Sequence, residues 1–366
     1  MPPRLKTRHG PSKKTKIPLK CCFRPRIACK GAAVAPPIGQ AARGGIAPAK
    51  RDRGVYEAVE RIRIGVSSCL LGESVRWDGG HKRDVYITGT LARCFELVPI
   101  CPEVAIGLGV PRDPIRLVGR AEAPRALSAG TPELDLTAKL SAHGRETAHR
   151  FSDLCGYLFK SGSPSCGLGR VKLLPERGGR PAHAGVGIFA REIQSALPML
   201  PVEDESRMAK PELRATFLEC VFAYGRWRTL TASGLTVQGL VDFHGRHRLA
   251  LLARQMKAAG ELERVLAAAG RRSPPRLAAQ YGALFMKVLR KPATRRGHTH
   301  ALRNALGCLK RVLDREERKE LAESIERYRL GNLPRVVPLT LLRHHLRRHP
   351  EPSLDGQTYL ECQAPE

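Results

Sequence analysis

Aromatic residues make up only 5% of this 366-residue chain, and acidic residues number 34 against 63 Lys and Arg. No segment approaches the roughly 18 uninterrupted apolar residues of a membrane helix, and the first residues lack the apolar stretch of a secretory signal. These absences exclude a membrane-spanning reading and lead to a cytoplasmic expectation. Cysteine pairs of the C-x-x-C kind are missing as well. The one close pair, Cys21 and Cys22, stands in a Pro- and Lys-rich tail. The eleven cysteines are therefore poor material for a zinc finger and, in a reducing compartment, for disulfides. What is present is a 42% hydrophobic content, enough for a real core and for two domains.

The charge is +29, and a field of that size marks a nucleic-acid partner through phosphate neutralisation. Residues 1–54 carry fourteen Lys and Arg against Asp52 alone, amid Pro, Gly and Ala with almost no hydrophobic period. Residues 1–60 thus read as a basic disordered tail outside the fold, with an RNA-binding arm as the alternative. Residues 55–366 keep +16 of their own.

Period-2 apolar runs predict strands at "IRIGVSS" (62–68), ending on Cys69, and "ELVPI" (96–100), ending on Cys101. Leu136, Leu140, Thr147, Phe151 and Leu154 recur at helical spacing over 136–154. The strand "GYLF" (156–159) follows and leads to Cys166 in "SGSPSCGLGR". Strands interleaved with helices predict an open, mainly parallel α/β sheet, whose carboxyl ends share the edge where ligands bind. Cys69, Cys101 and Cys166 are thereby expected to converge. Three thiolates without a fourth suit zinc with a water or a [4Fe-4S] cube with one iron open, and ordinary buried cysteines remain the plain alternative. Glu103 in "CPE", and Ser163 and Ser165 about Pro164, would set a carboxylate and two hydroxyls beside such a centre for acid/base work. Arg112, Arg116 and His81 are further polar residues near it in sequence.

The segments "SSCLLGESVRWDGGHK" (67–82), "CPEVAIGLGVPRDPIRL" (101–117) and "KSGSPSCG" (160–167) together resemble the thiouracil desulfidase (TudS-like) family over residues 62–198. The resemblance implies a [4Fe-4S] cluster held by Cys69, Cys101 and Cys166, its fourth iron free for substrate sulfur. It implies a non-redox desulfuration in which Glu103, Ser163 and Ser165 occupy the positions for proton handling and orientation. Trp77 departs from the family, which usually has tyrosine before Asp-Gly.

From about residue 205 the texture becomes helical: 242–256, 281–291 and 300–331 carry long helical periods, with Gly331 as a stop. Together with "VPLTLLRHHLRRHP" and "QTYL" they resemble the YbgA-like domain found fused behind desulfidase domains, an architecture similar to that of tRNA 4-thiouridine desulfidases. The expectation is an α/β catalytic domain over 61–200 followed by an all-α domain over 205–366 that docks tRNA containing 4-thiouridine. The docking face would draw on Arg246, Arg248, Arg295, Arg296, Arg303, Lys310, Arg311, Arg343, Arg347 and Arg348, with Tyr224, Trp227 and Tyr281 as stacking rings. Desulfuration of small free thiopyrimidines, and a non-catalytic iron-sulfur RNA-binding protein, are the alternatives. Cys94, Cys155, Cys220, Cys308 and Cys362 are expected not to be ligands.

Overall fold

A computed structural model describes residues 62–268 and 273–361; the basic tail lies outside the described residues. The described part opens with β1 (Arg63–Ser67) and the short helix α1 (Ser68–Leu71). A π-helical turn at Tyr86–Leu91 runs on into α2 (Ala92–Cys94), followed by β2 (Glu96–Ile100) and α3 (Pro102–Ala105). Next come β3 (Ile115–Gly119), β4 (Pro124–Ser128), α4 (Thr137–Arg150) and β5 (Gly156–Phe159). The α/β region ends with β6 (Val171–Leu174), β7 (Ala182–Gly185), α5 (Ile188–Ala196) and β8 (Val202–Asp204).

Four of these strands form an all-parallel sheet in the order β2-β1-β5-β8. Its central strands are buried along nearly their whole length, as strands covered on both faces must be. A second, mixed sheet in the order β4-β3-β6-β7 has no counterpart in the sequence expectations, because its strands are short and partly exposed. The expected helix over 136–154 shortens to α4, whose inner face buries Leu140, Gly144, Thr147 and Ala148.

The helical region comprises α6 (Glu205–Met208), α7 (Pro211–Ala232), α8 (Val237–Arg254), α9 (Met256–Ala267), α10 (Pro274–Leu289), α11 (Arg295–Leu309), α12 (Arg315–Leu330), α13 (Val336–Arg348) and α14 (Thr358–Glu361). The single period expected over 300–331 is two helices. Asp314 starts α12 with a capping box, its carboxylate accepting from Glu317 N while the Glu317 carboxylate accepts from Asp314 N. Gly331 ends α12 in the left-handed region, φ 92°, as a C-terminal stop requires.

One hydrophobic core runs from the parallel sheet into the helices. Gly156 makes that junction possible: a Cβ there would stand 2.8 Å from Val221 Cγ2, so only glycine lets α7 close on β5. Strand β8 completes the sheet beyond residue 200, and Phe217 and Leu218 of α7 are buried in the same core. The rings expected to stack on RNA are core residues instead. Trp227 and Tyr281 lie 5.6 Å apart, packed with Phe243 and Phe285, and Tyr224 is buried as well. Large apolar surfaces go inside unless something holds them out, and nothing does here.

Candidate functional site

Because β2, β1 and β5 are parallel neighbours, their carboxyl ends lie side by side, and each hands over to a cysteine. Cys69 sits in α1, two residues after β1; Cys101 caps α3 directly after β2; Cys166 lies in the loop after β5. Cys69 and Cys166 are buried and Cys101 is half-buried. Burial pushes the Cys69 thiol up to about 11, with neighbouring Cys101 adding and Lys160 and Arg76 opposing. Burial also raises Cys101, against backbone N–H groups of Val104 and Glu103 that donate to its sulfur. Cys166 is driven well above the ordinary thiol range by burial, a Ser67 hydroxyl bond opposing and the charges of Glu103, Cys101 and Cys69 adding. The three thiols thus act on one another, and burial favours their protonated form.

Among the described residues no group of three His, Cys, Asp or Glu closes around a single ion. A cluster makes a different demand, since each thiolate takes its own iron and the sulfurs stand further apart. The space among the thiols carries a mark of something to be bound. The Tyr157 phenol on β5 is fully buried, its oxygen has no hydrogen-bond partner, and the charges of Cys166, Cys101 and Cys69 all act on it. Three thiols and an unmet donor fit an iron-sulfur cluster.

Glu103, in the first turn of α3, is fixed through both oxygens. Arg112 donates to Oε2 from Nε at 3.1 Å and from Nη2 at 2.6 Å, and Ser165 Oγ donates to Oε1 at 2.9 Å. Arg112 is in turn spent on the carbonyls of Gly109 and Val75, and its own N–H donates to Trp77 O. Its side chain is 8% exposed and that of Glu103 15%, so this is a buried ion pair. Ser163 Oγ accepts from the N–H groups of Ser165 and Cys166, which shapes the loop that presents Cys166. That loop docks on the start of α5, where Ile188 N and Ala190 N donate to Pro164 O and Ser165 O. Gly187 lets it do so: a Cβ there would meet the Ser165 carbonyl at 2.5 Å.

Arg116 is exposed on β3, and exposed His81 accepts through Nδ1 from Arg83 N. Cys155 precedes β5 and therefore belongs to the opposite edge from Cys166; Cys94 is exposed, Cys220 and Cys308 are on the helices, and Cys362 lies outside the described residues. Of the basic residues expected to face RNA, Arg248 is bound to Asn304, Arg295 to Tyr328 O, Arg303 to Glu326, Arg348 to Glu317, and Arg246 to Gly356 O. Arg343 donates to Leu360 O, while Arg296, Lys310, Arg311 and Arg347 are exposed.

Sequence reasoning missed Ser67, Tyr157, Gly187 and a half-buried trio in which Glu205 accepts from Lys160 Nζ, Ser161 N and Ser161 Oγ. Lys160 and Glu205 both act on Cys69. Ser67 could have been found as the residue that ends β1; Glu205 and Gly187 carry no local signal, since their partners lie far off in sequence.

The model of a family described as 2-thiouracil desulfurase matches residues 64–205, and one described as a protein of unknown function (DUF1722) matches residues 248–363. The uncharacterized protein YbgA of Escherichia coli (strain K12) is 31% identical over 142 residues, which are 38% of this chain and 84% of YbgA. Among solved structures, a [4Fe-4S]-dependent thiouracil desulfidase, TudS, is similar at 28% identity and a TM-score of 0.32, over 41% of this chain and 94% of its own. Residues 64–205 thus match the 2-thiouracil desulfurase family, and the chain belongs with YbgA through a helical region joined behind them.

Proposed function

We propose that the chain is a [4Fe-4S]-dependent desulfidase of 4-thiouridine in tRNA, releasing uridine and hydrosulfide. The observation that supports this most is that three adjacent parallel strands each lead to a cysteine, that the three thiols act electrostatically on one another, and that a carboxylate is held at both oxygens. Cys69, Cys101 and Cys166 would hold the cluster, which when bound supplies a thiophilic Lewis acid with one open iron for the substrate sulfur. Glu103 Oε1 keeps a lone pair beyond the one that Ser165 uses, and this lone pair takes the proton of a water adding to the thiocarbonyl carbon. A C–O bond forms, the C–S bond breaks, and sulfur leaves as hydrosulfide without any net electron transfer. Arg112 and Ser165 hold the base still, and Ser163 holds the Cys166 loop.

The tRNA part of the proposal rests on charge. Outside the tail the chain keeps +16, and Arg296, Lys310, Arg311 and Arg347 are exposed on the helical region. Presenting a base to a recessed centre costs a few kcal/mol, which phosphate contacts from a second basic region can offset. The domain division at about residues 200–205 is part of the proposal, as is a docking role for the helices.

The test uses full-length protein reconstituted anaerobically. It is offered 4-thiouridine-containing tRNA or free thiouracil, and hydrosulfide release is followed across a salt series. The expected result is preferred turnover of tRNA, with affinity falling steeply as salt rises. Turnover of free thiouracil with tRNA left untouched would establish the free-base reading instead.

A further inference from the structure

The parallel register sets Tyr157 opposite Gly65. Because Gly65 lacks a side chain, the Tyr157 ring lies across it: a Cβ on Gly65 would meet Tyr157 Cδ2 at 2.5 Å and Cε2 at 2.7 Å. The ring is thereby tucked against β1, the central strand, which leads into Cys69. Phe159 stacks on it at 3.9 Å between centroids and 19° between planes, and Phe189 meets it edge-on at 6.2 Å. A ring clamped on these sides cannot swing its hydroxyl to solvent. Yet the oxygen is fully buried and makes no hydrogen bond. Buried hydroxyls are costly unless met, so one held rigidly without a partner points to a group that arrives later.

A phenol is protonated at neutral pH, so this hydroxyl is a donor, and it lies within electrostatic reach of Cys166, Cys101 and Cys69. No protein acceptor meets it, and the nearby sulfurs become strong acceptors only once they are thiolates or bridging sulfides.

We propose that Tyr157 is a positioning residue of the cluster, its phenol donating a hydrogen bond to a cluster sulfide or to one of the three ligating thiolates. This rests on the cluster reading above and adds a role for the buried ring. A hydrogen bond to a cluster sulfur favours the more negatively charged, reduced state, so it raises the reduction potential and moderates the electron density that the sulfurs push onto the open iron. For a desulfidase the consequence is an iron more willing to accept sulfur.

The test compares anaerobically reconstituted full-length wild type, Tyr157→Phe and Tyr157→3-fluorotyrosine, the last a stronger donor of nearly the same shape. Iron and sulfide per chain are counted first, and the potential is then followed by spectroelectrochemistry. All three proteins are expected to load the same iron, with the potential shifted negative in Tyr157→Phe and positive in Tyr157→3-fluorotyrosine. If Tyr157→Phe fails to fold or to load, the fluorinated protein decides by itself. An unchanged potential in loaded variants overturns the role of Tyr157 and leaves the cluster reading intact. A wild type that takes up no iron overturns both.

Discussion

Replacing Arg112 by Met removes a guanidinium that makes four hydrogen bonds from a nearly buried position: two to Glu103 Oε2, one to Gly109 O and one to Val75 O. With side-chain exposures of 8% for Arg112 and 15% for Glu103, water has little access to screen the pair or to replace the lost donors. Breaking a buried pair by removing one partner costs about 3–5 kcal/mol, mostly because the other charge is left uncompensated. That is a large share of the roughly 5–15 kcal/mol that holds a domain together. Arg112→Met should therefore lower the unfolding free energy of the metal-free protein by about 3–5 kcal/mol in urea titrations followed by circular dichroism under argon. Arg112→Lys keeps the charge but cannot reproduce the fork, and should fall in between. The pair can be isolated by a double-mutant cycle. Arg112→Met combined with Glu103→Gln should cost less than the sum of the two single changes, with a coupling of about 1–3 kcal/mol. A loss for Arg112→Met below about 1 kcal/mol, the range of a surface ion pair, would refute the reasoning, as would additive single changes.

Glu103→Gln keeps the shape and the acceptor for Ser165 but loses the proton-accepting carboxylate. The cluster should still assemble while turnover falls about 10²- to 10⁴-fold, and near-normal turnover in fully loaded protein would place the base elsewhere. Gly187→Ala drives a methyl into the Ser165 carbonyl, so the Cys166 loop must move. Stability should drop by about 1–3 kcal/mol and iron loading should drop with it, which a thermal melt and an iron assay would read. Burial, with Arg248 adding, holds His244 down to about 4. Burial likewise holds His247 and His298 to about 3, with Arg226, Arg246 and His244 adding at the former against its bond to Phe243 O, and Arg335 and Arg254 adding at the latter. Since these folded values lie below the ordinary 6.5, the unfolded chain takes up protons first as pH falls. Their contribution is fully present above 6.5 and is lost as pH falls from 6.5 to about 4 for His244 and to about 3 for His247 and His298, about 2 kcal/mol at pH 5 for His244 alone. Urea midpoints that stay flat from pH 7.5 to 5 would contradict this.

The strands were legible because their apolar runs are short, bounded and rich in β-formers: "ELVPI" and "GYLF" are β2 and β5 to the residue, and "IRIGVSS" contains β1. Parallel pairing followed from the helices between them, and with it the shared edge on which the cysteines fall. The second sheet was not legible, since β6 and β7 bury only alternate residues or their ends. The break between α11 and α12 was hidden because Leu309 and Leu313 continue the apolar period across it, while Asp314 starts a new helix. Aromatic position misled in the helical region. Tyr224 and Trp227 stand beside arginines in sequence, but helical rotation turns them, like Tyr281, into the core. Arg112 was read as a residue near the site mouth. Its role became visible only when the fold turned the loop after α3 back onto Glu103, nine residues away, a turn that no helical or strand period encodes.

The most direct measurement is an iron, sulfide and hydrosulfide count on anaerobically reconstituted full-length protein and its Cys69→Ala, Cys101→Ala, Cys166→Ala and Cys155→Ala variants, with 4-thiouridine-containing tRNA as substrate. Wild type and Cys155→Ala should hold about four irons per chain and release hydrosulfide. Each of the other three should lose the cluster and the activity together. A cluster retained without Cys166, or hydrosulfide release from protein that holds no iron, would contradict the central claim.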